Sequence, residues 1–145
     1  MRYLDVIEAL DAAGVRYVVV GGVAMVLRGC RRETADLDLV IDGAPGPAER
    51  ALHAFLATGF VPTLPLPLGD MVVMRLLDGG GREVDAFARF AVPFKELWAA
   101  SELVPCGGIA VRVASVAHLV AEKRRSGRAP DLRDAELLET LARRA

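Results

Sequence analysis

Only two cysteines occur in the 145 residues, Cys30 and Cys106, and they stand far apart outside any CxxC or Cys/His spacing. Neither a disulfide framework nor a zinc site is suggested by so few. A net charge is missing too: 18 basic against 19 acidic side chains leave a formal −1, so no global basic excess calls for a nucleic-acid partner. Local clusters do occur, at Arg28, Arg31 and Arg32 and again at Lys123, Arg124, Arg125 and Arg128. No apolar run approaches the roughly 20 residues that span a bilayer. The opening MRYLDVIEALD carries charges throughout, unlike a signal peptide. A soluble, cytoplasmic protein without a membrane partner is the expectation. The two histidines, His53 and His118, fall in amphipathic helical stretches with no matching partner nearby in sequence. Both are expected at the surface or partly packed.

What is present is apolar content: 53% of the chain is hydrophobic, enough for a real core in one domain over residues 1–145. Tyr3, Ile7 and Leu10 recur at helical spacing and Gly14 can end that helix, so residues 2–13 read as helix. The β-branched run Val15–Val20 reads as a buried strand ending at Gly21–Gly22, with a short helical segment over Val23–Arg28. Leu37–Ile41 is a second strand, closed by Asp42–Gly43. Pro47 is placed to open a helix running to about Ala57. The Pro-rich stretch from Val61 to Leu68 reads as irregular.

Strands at Met71–Leu76 and Arg82–Ala88, joined by Asp78–Gly81, form an expected hairpin. A short helix follows at Pro93–Ala100 and a last strand at Ile109–Val113. Ser115 can cap a helix to about Ser126, and Asp131 a closing helix through Leu141, with Gly127 and Pro130 between. This order implies an α+β (mixed α/β) fold, a small mixed sheet flanked by helices.

The chemistry sits at Asp36-Leu37-Asp38-Leu39. Side chains alternate along a strand, so both carboxylates share one face while the leucines enter the core. Two carboxylates this close repel unless a cation or proton lies between them, and hard oxygen donors suit Mg²⁺. Gly21–Gly22 follows a buried strand, where bare backbone N–H groups could approach phosphate oxygens; for the pair taken alone, a tight turn that needs glycine is the favoured reading. In Glu83-Val84-Asp85-Ala86-Phe87, Asp85 is embedded among apolar residues, an expensive place for an unpaired charge. If the hairpin lies beside the Asp-x-Asp strand, Asp85 reaches the same cluster, with Glu83 as its rival on the same face.

Together, Gly21-Gly22-Val23-Ala24, then Arg32-x-Thr34-x-Asp36-Leu37-Asp38, then Asp85, resemble the nucleotidyltransferase superfamily related to DNA polymerase beta. The likeness is strongest to the minimal abortive-infection and toxin–antitoxin type and to the antibiotic nucleotidyltransferases. The stretch Leu119…Lys123…Arg128-x-x-Asp131-Leu132-x-Asp134 is similar to the tail common in the first group. Gly22 stands where many relatives carry serine.

The resemblance implies Mg²⁺-dependent transfer of a nucleoside monophosphate, AMP being commonest, from a nucleoside triphosphate such as ATP. The acceptor would be a hydroxyl on protein, tRNA or a small molecule. Asp36, Asp38 and Asp85 would hold two Mg²⁺ ions, with Asp85 taking the hydroxyl proton. Gly21, Gly22, Arg32, Thr34, Lys123 and Arg128 would face the nucleotide. For Lys123 and Arg128, pairing with Asp131 or Asp134 to tie the last two helices together is an equal expectation. An alternative is a non-catalytic or weakly catalytic, antitoxin-like partner of a cognate toxin.

Overall fold

The computed structural model describes residues 1–144. The elements run α1 (Leu4–Ala12), β1 (Tyr17–Val20), α2 (Gly21–Leu27), β2 (Asp36–Ile41), α3 (Pro45–Ala57), β3 (Val61–Pro62), a 3₁₀ turn (Leu68–Asp70), β4 (Val73–Leu77), β5 (Glu83–Phe87), α4 (Phe94–Ala100), β6 (Glu102–Cys106), β7 (Ile109–Val113), α5 (Val116–Ser126) and α6 (Ala129–Arg144). Among the described residues the strands join one sheet in the order β3-β4-β5-β2-β1-β7-β6. It is mixed: β2 runs parallel to β5 and β1 parallel to β7, and the remaining neighbours are antiparallel.

The centre of the sheet is the most apolar part of the chain. All four residues of β1 are buried, as a strand with neighbours on both edges requires. In β2, Leu37 and Leu39 are buried while Asp36 and Asp38 are half-buried, and β5 repeats the alternation with Val84 and Ala86 against Glu83, Asp85 and Phe87. Helices α1 and α3 pack on each other and against β7 and β2, with Val6, Ile7, Leu10, Ala51 and Phe55 inside. Helices α5 and α6 pack along one another.

Both sheet edges carry a proline. Pro62 lies in β3 and Pro105 in β6, at positions where a missing N–H leaves no ladder bond broken within the sheet. These are the two strands that propensity leaves out. Prolines also sit inside two helix starts. The third helix begins at Pro45, two residues before the expected Pro47. The last begins at Ala129, so that Asp131 lies within its first turn instead of capping it. The first N–H groups of a helix have no intrahelical partner, so proline costs nothing there. Likewise α2 starts at Gly21 rather than Val23. The expected caps of α5 are present: Ser115 Oγ accepts from the His118 N–H at 3.1 Å, and Gly127 ends the helix at φ +70°.

Candidate active site

Strand register decides where the acids meet. In the parallel pair β2–β5, Asp36 lies opposite Glu83 and Asp38 opposite Asp85, so all four side chains leave the same face of the sheet. Asp38 and Asp85 therefore face one another across the strand pair. Burial, followed by the neighbouring charges of Asp85 and Asp36, pushes the Asp38 carboxyl up to about 6. This half-buried acid therefore sits short of compensating positive charge.

A second strand contact partly answers that shortage. Arg75 on β4 is the register partner of Asp85. Its Nε donates to Asp85 Oδ1 at 3.1 Å and its Nη2 to Oδ2 at 3.4 Å, and Nε lies 3.6 Å from Glu83. Counting outward from the Asp78–Gly81 turn brings Arg75 across from Asp85, so the hairpin itself holds the signal for this pairing.

The glycine pair closes over the acids. Gly21 adopts φ +67°, and a Cβ there would come within 2.3 Å of Asp38 Oδ2. A Cβ on Gly22 would come within 2.7 Å of Thr34 Oγ1. Thr34 Oγ1 in turn donates to the Asp36 carbonyl at 3.4 Å. The loop before β2 thus braces the glycine turn against the acidic strand.

Gly21 and Asp38 open into a cleft of about 220 Å³ whose walls include Phe87, Phe90, Leu97 and His118, with Lys123 and Arg128 at its border. Arg32 and Thr34 instead line a separate cavity with Tyr3 and Val23. Lys123 Nζ lies 3.1 Å from Asp134 and 3.4 Å from Asp131, Arg128 Nε donates to Asp131 at 2.9 Å, and Arg32 forks onto Asp134. The Ser126 hydroxyl, which donates to Asp131, together with Arg128 and Lys123 holds the Asp131 carboxyl down at about 2, and Arg32, with Lys123, keeps Asp134 low. The tie between the last two helices is real, and Lys123 and Arg128 still border the cleft.

Two residues that sequence reasoning passed over shape the site. Tyr3, 2% exposed, donates its hydroxyl to the Ala35 carbonyl and accepts from the Glu83 N–H at 3.3 Å. It therefore fastens the starts of both acidic strands. Nothing in its helical spacing signals that role. His118 is partly packed, as one of the two expectations has it, and lines the cleft, with Nε2 3.9 Å from Glu96 and Nδ1 buried without a hydrogen-bond partner.

Among the described residues, no three His, Cys, Asp or Glu side chains are grouped tightly enough to hold a metal ion by themselves. The donor chemistry nevertheless fits magnesium, which uses one or two carboxylates and completes its shell with water and substrate phosphates. Asp38 and Asp85 offer such a pair, already strained by mutual repulsion. No helix among the described residues is long and apolar enough to cross a membrane.

No protein-family model and no curated protein matches the sequence. Solved structures do. TM1012 of Thermotoga maritima, provisionally described as a nucleotidyltransferase, aligns with a TM-score of 0.67 at 18% identity over 99% of this chain and 92% of its own. The lincosamide antibiotic adenylyltransferase LnuA, solved with lincomycin, gives 0.67 at 17% identity over 92% of each chain. ANT(2'')-Ia, solved with adenylyl-2''-tobramycin, gives 0.67 at 17% identity over 99% of this chain and 97% of its own. With its acids on adjacent parallel strands beneath a glycine turn, this chain has the nucleotidyltransferase fold.

Proposed function

We propose that the chain is a magnesium-dependent nucleotidyltransferase, moving a nucleoside monophosphate from a triphosphate, ATP foremost, to a hydroxyl acceptor with release of pyrophosphate. The observation that carries this reading is the register of Asp38 with Asp85 on parallel strands directly below Gly21. The two adenylyltransferases of the same fold support it.

Asp38 and Asp85 would hold the divalent cation, with Asp36 adding negative charge beside them. When bound, magnesium supplies charge neutralisation on the triphosphate and lowers the pKa of the acceptor hydroxyl. The chain's own contribution is placement. Gly21 and Gly22 keep the backbone bare where phosphates approach. Lys123 and Arg128 border the same cleft and can exchange part of their pairing with Asp131 and Asp134 for phosphate oxygens. Asp85, which lines a neighbouring groove with Thr63, Leu64 and Val73, would accept the acceptor's hydroxyl proton. The apolar wall of Phe87, Phe90 and Leu97 keeps water from the reacting phosphorus.

The test is incubation with α-labelled ATP and magnesium beside tRNA, the chain itself and a hydroxyl-rich antibiotic in parallel. Label is expected in one of these acceptors and absent with Asp36→Ala/Asp38→Ala. Equal labelling by the double variant contradicts the mechanism. Tight Mg-ATP binding with no transfer to any acceptor would favour the weakly catalytic, antitoxin-like reading instead.

A further inference from the structure

The acidic face of β2 and β5 presents Asp36, Asp38, Glu83 and Asp85 together, yet among the described residues Asp85 and Glu83 are salt-bridged to one cation, Arg75. Its guanidinium meets both Asp85 oxygens, at 3.1 and 3.4 Å, in a forked contact. A carboxylate engaged this way on both oxygens is a poorer ligand for a divalent ion. Two positive groups crowded onto Asp85 would also repel each other.

The two partners differ in freedom. The Asp85 side chain is 17% exposed and fixed by its strand, whereas Arg75 is 54% exposed on a long flexible stem. When a divalent ion competes for Asp85, the arginine is the group able to leave. The groove beside it, lined by Thr63, Leu64, Val73 and Phe87, gives the guanidinium somewhere to go.

We propose that Arg75 is the resident counter-ion of this acid cluster, which a divalent cation must displace from Asp85 before the site is complete. Arg75 is thus a positioning residue: it holds Asp85 in place in the metal-free protein and sets how tightly the metal binds. This rests on the reading of Asp38 and Asp85 as metal ligands.

The experiment is a Mn²⁺ titration of the full chain and of its Arg75→Gln and Arg75→Lys variants. Free Mn²⁺ is read by electron paramagnetic resonance, and thermal melts are run with and without the ion. Arg75→Gln is expected to melt lower without metal, to bind Mn²⁺ at least about threefold more tightly, the order expected for losing one partly exposed ion pair, and to gain more in Tm on Mn²⁺ addition. Arg75→Lys, which keeps the charge but loses the fork, should fall between the two and carries the test if the glutamine variant fails to fold. A purely structural role would lower Tm without tightening the metal. Unchanged or weaker Mn²⁺ affinity in the substituted chains overturns the proposal while leaving the enzyme reading intact. No Mn²⁺ binding by any of the three chains overturns both.

Discussion

Gly21 has no room for a side chain. Its backbone is left-handed, and the Asp38 carboxylate fills the space a Cβ would take. Gly21→Ala is expected to cost about 1–3 kcal/mol from the dihedral strain alone, measured by denaturant unfolding, and to abolish nucleotide transfer by pushing Asp38 aside. Asp38 itself gives a pH prediction. Its carboxyl is raised from the ordinary 3.8 to about 6 in the folded protein, so the fold takes up a proton that the unfolded chain does not. That contribution to stability is full below about pH 4 and is lost as pH rises through 6.

Magnesium competes with the same proton, so the rise in Tm on adding it should grow between pH 5 and pH 7.5. Asp38→Asn should flatten both dependences, and a thermal-shift series across pH checks this. Asp131 and Asp134, lowered by their partners, act with the opposite sign. The Asp131 share of stability is present above about pH 4 and is lost as pH falls through about 2, and the Asp134 share is likewise lost on acidification below the ordinary carboxylate range.

At the level of elements, the two acidic strands are aligned partly by a residue outside them. Tyr3→Phe removes the bonds to Ala35 and Glu83 and leaves those backbone groups unpaired. It should destabilise the fold by about 1–3 kcal/mol, read from chemical denaturation, and lower turnover further than the stability loss explains. The cap on α5 has a separate effect: Ser115→Ala should cost about 1 kcal/mol with little change in turnover. The strands, the hairpin and the Ser115 cap were legible because alternation, turn residues and capping residues each have a local cause. Edge strands β3 and β6 were not, because proline reads locally as a breaker and only the finished sheet shows that their outer edge needs no donor. Asp36, Asp38 and Asp85 were legible as carboxylates misplaced among apolar neighbours. Arg75 was hidden only until the hairpin register was counted, whereas Tyr3 acts through contacts 32 and 80 residues apart in sequence that no local pattern encodes.

Across the whole molecule, Arg32, Lys123, Arg128, Asp131 and Asp134 join the loop before β2 to the last two helices. The network lets the C-terminal helices close one side of a cleft whose floor belongs to the sheet. Asp134→Ala leaves Arg32 and Lys123 short of a partner and should cost roughly 1.5–3 kcal/mol, with a weakened affinity for nucleotide as the cleft wall loosens; unfolding curves and ATP titration separate the two effects. The most direct measurement of the central claim is a calorimetric titration of magnesium, with a non-hydrolysable ATP analogue present, into the native chain and its Asp38→Asn and Asp85→Asn variants. Saturable heat in the native chain, lost in each single variant, is the predicted result. Undiminished binding by Asp85→Asn would contradict a cation shared between the two strands.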